Sequence, residues 1–90
     1  MPYRLLYLPG AARDLASLSA DVARRARRAL ERLAEEPRAG KPLHGELAPW
    51  WSFRVGDYRI VYEIRDREVV VLVVMLGHRR EIYERARRRK

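Results

Sequence analysis

The chain has 90 residues, 48% of them hydrophobic, and no cysteine, so one small core must supply its stability without disulfides or thiolate-bound zinc. Zinc fingers and disulfide-stapled scaffolds are excluded. Twenty Lys and Arg against 12 Asp and Glu leave a formal net charge of +8, a balance that favours a polyanionic partner.

From the N-terminus, MPYRLLYLPG lacks a signal-peptide pattern. YRLLYL (residues 3–8) is aromatic and aliphatic, stops at Pro9-Gly10, and is expected to form a first strand. Residues 11–18 place Ala11, Leu15 and Leu18 on one helical face. Ser19 suits the N-cap of a second, longer helix, with Asp21 in its first turn facing the positive end of the helix dipole. Val22, Ala26, Ala29, Leu30 and Leu33 form its apolar stripe, while Arg24, Arg25, Arg28, Glu31, Arg32 and Glu35 fall largely away from it. That pattern describes a surface helix packed on a sheet; a basic face that also touches nucleic acid is the second reading.

Pro37 ends that helix, and RAGKPLHGELAP (38–49), with two Gly and two Pro, reads as a loop. WWSFRV (50–55), YRIVYEI (58–64) and VVVLVVML (69–76) read as strands. Their connections, Gly56-Asp57 and residues 65–68, are hairpin-length, so the three should run antiparallel in sequence order. The last is apolar at every position, as a central strand covered on both faces would be. It is also far short of the roughly 20 residues that a membrane-spanning helix needs, so a cytoplasmic protein with no membrane partner is expected. After Gly77 an Arg/Glu-rich segment reads as a short, frayed C-terminal helix. The expected fold is α+β, a single domain over 1–90 in the order β-α-α-β-β-β-α. It has an antiparallel sheet, a helical hairpin on one face, and a basic C-terminal helix or tail at 79–90.

A two-residue turn at Gly56-Asp57 sets Arg54 opposite Arg59, Phe53 opposite Ile60 and Trp51 opposite Tyr62. Alternation then sends Trp51, Phe53, Tyr58, Ile60, Tyr62 and Ile64 to one apolar face and Ser52, Arg54, Arg59 and Glu63 to the other. Two directly opposed arginines repel by about 0.2–1 kcal/mol, so something should compensate. The candidates are splayed, solvated stems, a carboxylate such as Glu63, or a phosphate gripped by two guanidinium forks.

Antiparallel pairing also brings the end of the apolar strand, with Arg79 and Arg80, towards Arg54 and Arg59. Tyr83 lies four residues beyond Arg79, one helical turn on if Arg79 opens the helix. Among guanidiniums its phenolate is favoured, which suits a general base; an anchor for the terminal helix is the plain alternative. His44 and His78 lack the spacing of a metal pair, and neither a metal nor another cofactor is expected. With no Gly-rich phosphate loop, carboxylate pair or Ser-His-Asp arrangement, NTPase, glycosidase and serine-hydrolase readings have no support. Residues 78–90 hold six arginines and a lysine against two glutamates, a net +5, read either as a polyanion contact or as a solvated end.

LHG (43–45), WSFRVGDYRIVY (51–62), the apolar strand and GHRREIY (77–83), in that order and spacing, resemble the RelE/ParE superfamily of toxins from bacterial and archaeal toxin–antitoxin pairs, the RelE branch in particular. The resemblance covers nearly the whole chain. It implies a sheet whose concave face is the active site of a metal-independent endoribonuclease, one that cuts mRNA in the ribosomal A site by 2′-OH attack on the adjacent phosphate. By position it implies Arg59 as the arginine that stabilises the phosphate, Arg79 as the one near the leaving oxygen and Tyr83 as general base. Arg54 matches a basic position on the preceding strand, and Lys41, His44, His78 and Arg80 complete a candidate RNA-binding set. Ser52 stands where some relatives carry a second catalytic lysine, with Lys41 or His44 as candidates to supply that charge. The implied partners are a cognate antitoxin, the ribosome and its mRNA. The alternatives are the ParE branch, which poisons DNA gyrase by binding, and an inactive RNA-binding homologue.

Overall fold

Strict alternation along the β3–β4 hairpin sets the architecture of the computed structural model, which describes residues 2–89. β3 (Trp51–Val55) and β4 (Tyr58–Arg65) pair antiparallel in the expected register, with Trp51 opposite Tyr62 and Arg54 opposite Arg59. Gly56 turns the chain at φ +58, a conformation that costs a glycine little. β5 (Val70–His78) pairs antiparallel with β4, and β1 (Arg4–Tyr7) lies beyond it. β2 (Lys41–Pro42) closes the other edge, giving the order β1-β5-β4-β3-β2.

β1 runs parallel to β5, with Arg4 beside Val70 and Tyr7 beside Val73. The sheet is therefore antiparallel except at this edge, a correction to the uniformly antiparallel expectation. Pro9 ends β1 and at once opens α1 (Pro9–Ser17), because a proline in the first helical turn gives up an N–H that has no helical acceptor. α2 (Ala20–Glu35) starts at Ser19, whose Oγ accepts from the Val22 amide at 3.4 Å. Its buried face is Ala23, Ala26, Ala29, Leu30 and Leu33; Ala23 takes the inner place expected of Val22, which is half-buried.

α1 and α2 cover one sheet face, where Ala11, Leu30, Leu33, Ile60, Tyr62, Val71 and Val73 form the larger core. β5 carries one residue more than β4 at the Val61/Tyr62 step, so parity along it switches. Val74 and Met75 consequently join Leu47, Trp50, Val61, Ile82 and Ala86 in a second cluster on the opposite face. An unbroken apolar strand is the sequence signature of this double coverage.

The 38–49 segment is more ordered than a loop. It contains 3-10 turns at Pro37–Ala39 and Gly45–Leu47 around β2. Gly40 lies so close to β3 that a Cβ there would meet the Ser52 carbonyl oxygen at 2.6 Å. Beside it, the buried Tyr62 hydroxyl donates to the Pro37 carbonyl at 2.7 Å, and burial pushes its pKa up to about 12.

The C-terminal helix, α3 (Ile82–Arg89), is packed rather than frayed. Ile82 and Ala86 are fully buried. Arg85, expected in a tail, donates from Nη2 to both Asp14 carboxylate oxygens (3.1 and 3.0 Å) and from Nη1 to the Leu76 carbonyl (3.2 Å). Asp14 in turn accepts from the Leu76 amide at 3.1 Å. β1 has ended by this point, so the two side chains satisfy the open edge of β5 and tie α1 to α3.

Candidate functional site

Alternation in β3 and β4 turns Ser52, Arg54 and Arg59 away from the helical hairpin. There they line an open cavity of about 480 Å³ with Lys41, Leu43 and Tyr83. Lys41 reaches it because β2 pairs with β3 in a register that sets Lys41 directly opposite Ser52. Tyr83 reaches it from the first turn of α3, its ring packed against the second apolar cluster.

The opposed arginines are compensated by backbone rather than by Glu63, which is paired with Arg65 at 3.1 Å. Arg54 Nε and Arg59 Nη1 both donate to the Gly56 carbonyl, at 3.3 and 3.2 Å, and Arg59 Nη1 also donates to the Tyr58 carbonyl at 3.1 Å. One carbonyl carries partial negative charge only, so both guanidiniums keep donors for an anion. A third arginine, Arg25 on the outward face of α2, also approaches this turn. A Cβ on Gly56 would lie 2.6 Å from Arg25 Nη2, so α2 extends its basic face over the same glycine.

Ser52 is buried, and its Oγ lies 3.0 Å from Tyr83 Oη. This contact was not legible beforehand. Alternation put Ser52 on the correct face, but nothing local in the sequence places α3 above it.

The structure thus brings Lys41, Arg54, Arg59 and Tyr83 together and sets four other candidates outside the cavity lining. Arg79 lies in the turn between β5 and α3, its amide donating to the Asp57 carbonyl at 2.7 Å and its Nε 3.8 Å from Asp57 Oδ1. α3 starts three residues later, so Arg79 does not open it. His78 faces Tyr58 on the opposite sheet surface, ring centroids 5.5 Å apart, because β5 continues through it and directly paired residues share a face. Its Nδ1 accepts from the amide of Arg80, whose side chain is exposed. His44 is exposed at the start of the second 3-10 turn. Among the described residues no three His, Asp or Glu gather as a metal site, and no helix is long and apolar enough to cross a membrane.

Residues 3–83 match the sequence family described as the ParE toxin of the type II toxin–antitoxin system, parDE. The chain is 40% identical over 87 residues to Toxin RelG of Mycobacterium tuberculosis, spanning 94% of this chain and 100% of that protein. Its fold is similar to the toxin–antitoxin complex RelBE2 of Mycobacterium tuberculosis, with a TM-score of 0.81 and 35% identity over 87% of this chain and 92% of that one. A mutant of the Escherichia coli toxin RelE in the free state superposes with a TM-score of 0.79 and 28% identity over 99% and 98% of the two chains. From its sequence, its sheet and its helices alike, the chain belongs to the RelE/ParE family of type II toxin–antitoxin toxins.

Proposed function

We propose that this toxin is a cytoplasmic endoribonuclease that cuts mRNA in the ribosomal A site, with the ribosome holding the substrate and a cognate antitoxin covering the cavity. The observation that carries this reading is the convergence of Lys41, Arg54 and Arg59 around a cavity bordered by the Ser52–Tyr83 hydroxyl pair. The ribose 2′-oxygen attacks the adjacent phosphorus as its proton passes to the phenolate oxygen of Tyr83, the phosphorus–O5′ bond breaks, the departing O5′ takes up a proton from solvent, and the Tyr83 phenol returns its own proton to solvent. The product is a cyclic phosphate at the 3′ end. Arg54 and Arg59 supply fixed donors to the electron-rich phosphorane, a role in which preorganised charge is worth most. Lys41, directly across from Ser52, supplies the cation that the serine lacks. Arg79 is held by an exposed ion pair to Asp57. Such pairs are worth about 0–1 kcal/mol, so a bound phosphate can draw its guanidinium across.

The antitoxin reading is supported by toxin–antitoxin complexes among the structural relatives. An arginine-lined cavity fits an acidic or amphipathic segment. A second reading, gyrase inhibition by binding, is favoured by the match to the ParE family. Controlled expression followed by primer extension on a translated message separates the two. The nuclease reading expects A-site cuts that disappear in Arg79→Ala and fall about 100-fold or more in Arg59→Ala and Tyr83→Phe. Intact messages with gyrase arrest would favour the second.

A further inference from the structure

Ser52 lies within β3 with a paired strand on either side, opposite Lys41 in β2 and Val61 in β4. Gly40 packs closely over its carbonyl, and the residue is only 7% exposed. Its Oγ therefore occupies a fixed point in the cavity wall. Tyr83 comes from another element, α3, which is anchored on the sheet by Ile82 and Ala86. Apolar packing holds a tyrosine ring without setting the last fraction of an ångström at its hydroxyl; a directional hydrogen bond does that. The 3.0 Å contact between Ser52 Oγ and Tyr83 Oη is the link between these two elements at the cavity.

We infer that Ser52 is a positioning residue for Tyr83, its hydroxyl fixing Oη where the 2′-OH of a bound ribose must present its proton. This rests on the ribonuclease reading and names a part of its machinery. Proton transfer needs the heavy atoms about 2.6–3.2 Å apart, and misplacement by about 1 Å can cost roughly 100-fold in rate. A serine hydroxyl both donates and accepts. It accepts from Tyr83 while the phenol holds its proton and donates to Oη when the proton is absent, so the contact persists through the step with no proton lost from Ser52. Lys41, Arg54 and Arg59 serve the phosphate with charge; Ser52 serves the base with direction. At this strand position the small hydroxyl leaves Oη its place, whereas a methyl group in the same volume leaves Oη without a protein partner.

The test is a double-mutant cycle on cleavage by the full-length toxin of a defined message on programmed ribosomes, with kcat and KM measured separately. Ser52→Ala is expected to lower kcat roughly 10-fold with KM nearly unchanged, and Ser52→Thr to restore most of the loss because it returns the hydroxyl. In a Tyr83→Phe background Ser52→Ala should cost less than about 2-fold, since the partner oxygen is already gone. Equal losses in both backgrounds, an unaffected kcat in Ser52→Ala, or no rescue by threonine in a variant that melts like the parent would overturn the inference while leaving the nuclease reading intact. A parent toxin that fails to cut on the ribosome would overturn both.

Discussion

Val69 carries φ +57, a left-handed conformation that branched side chains rarely adopt. It closes the β4–β5 connection, where its amide bonds back to the Asp66 carbonyl at 3.1 Å and its own carbonyl accepts from Arg4 at 2.9 Å. The side chain is 39% exposed, so little packing compensates the strain. The left-handed region costs an L-residue about 1–2 kcal/mol, and a glycine forfeits about 0.5–1 kcal/mol of chain entropy. Val69→Gly is therefore expected to stabilise the fold by about 0.5–1 kcal/mol, roughly 3–6 °C in melting temperature for a domain of this size. A lower melting temperature would contradict the strain argument.

Asp66, on the same connection, receives Tyr3 Oη at 2.6 Å and Arg38 Nη2 at 2.8 Å. These bonds, that from Arg38 first, hold its carboxyl below the ordinary 3.8, while the bond to Asp66 raises Tyr3 above 10.0. The lowered carboxylate stabilises the fold above its ordinary value, and that contribution is lost as acid drives the pH through its folded value. The raised tyrosine contributes below 10.0 and loses that contribution as the pH climbs through its folded value. The melting temperatures of the parent and Asp66→Ala should accordingly differ most between about pH 4 and 10, converge as the pH falls below that range, and differ less above it, where the Tyr3 share is lost while the Arg38 bond remains; parallel curves throughout would show that the clamp contributes nothing.

Among the elements, Asp14 and Arg85 tie α1 and β5 to α3, the helix that carries Tyr83. Asp14→Ala removes the acceptor of the Leu76 amide and leaves the half-buried Arg85 without its carboxylate. An unsatisfied group of this kind costs about 1–3 kcal/mol, so the α3 amides and that of Leu76 should exchange roughly 10–100-fold faster with solvent. Unchanged protection there would sink the role given to Asp14. This tie also marks the limit of sequence reading. Arg85 is one of six arginines in a basic run, and only packing separates it from its exposed neighbours Arg87, Arg88 and Arg89. The β3–β4 hairpin was legible because a two-residue turn and strict alternation fix its register locally. β2 was not, since a two-residue edge strand has no periodicity to read.

At the scale of the molecule, the sheet face carrying the site followed from the alternation of Ser52, Arg54 and Arg59, but the cavity did not. It is assembled by β2 and α3, neither of which has a local signal for where it packs. β1 illustrates the same limit, for its parallel pairing with β5 joins the two ends of the chain. His78 and Arg79 are adjacent in sequence, yet His78 faces Tyr58 and Arg79 pairs with Asp57; the strand's continuation through His78 decides it. On the proposed ribonuclease reading, the net charge of +8 serves long-range attraction to RNA, and the cavity turns part of that attraction into directed contacts.

The central claim is that Lys41, Arg54, Arg59 and Tyr83 form a ribonuclease site that works on the ribosome. The direct measurement is incubation of the purified toxin with ribosomes carrying a defined message, followed by mapping of the cut and analysis of its 3′ end. The account predicts cleavage within the A-site codon that leaves a cyclic phosphate and falls about 100-fold or more in Arg59→Ala. An intact message, or cuts that persist undiminished in Arg59→Ala, would contradict it.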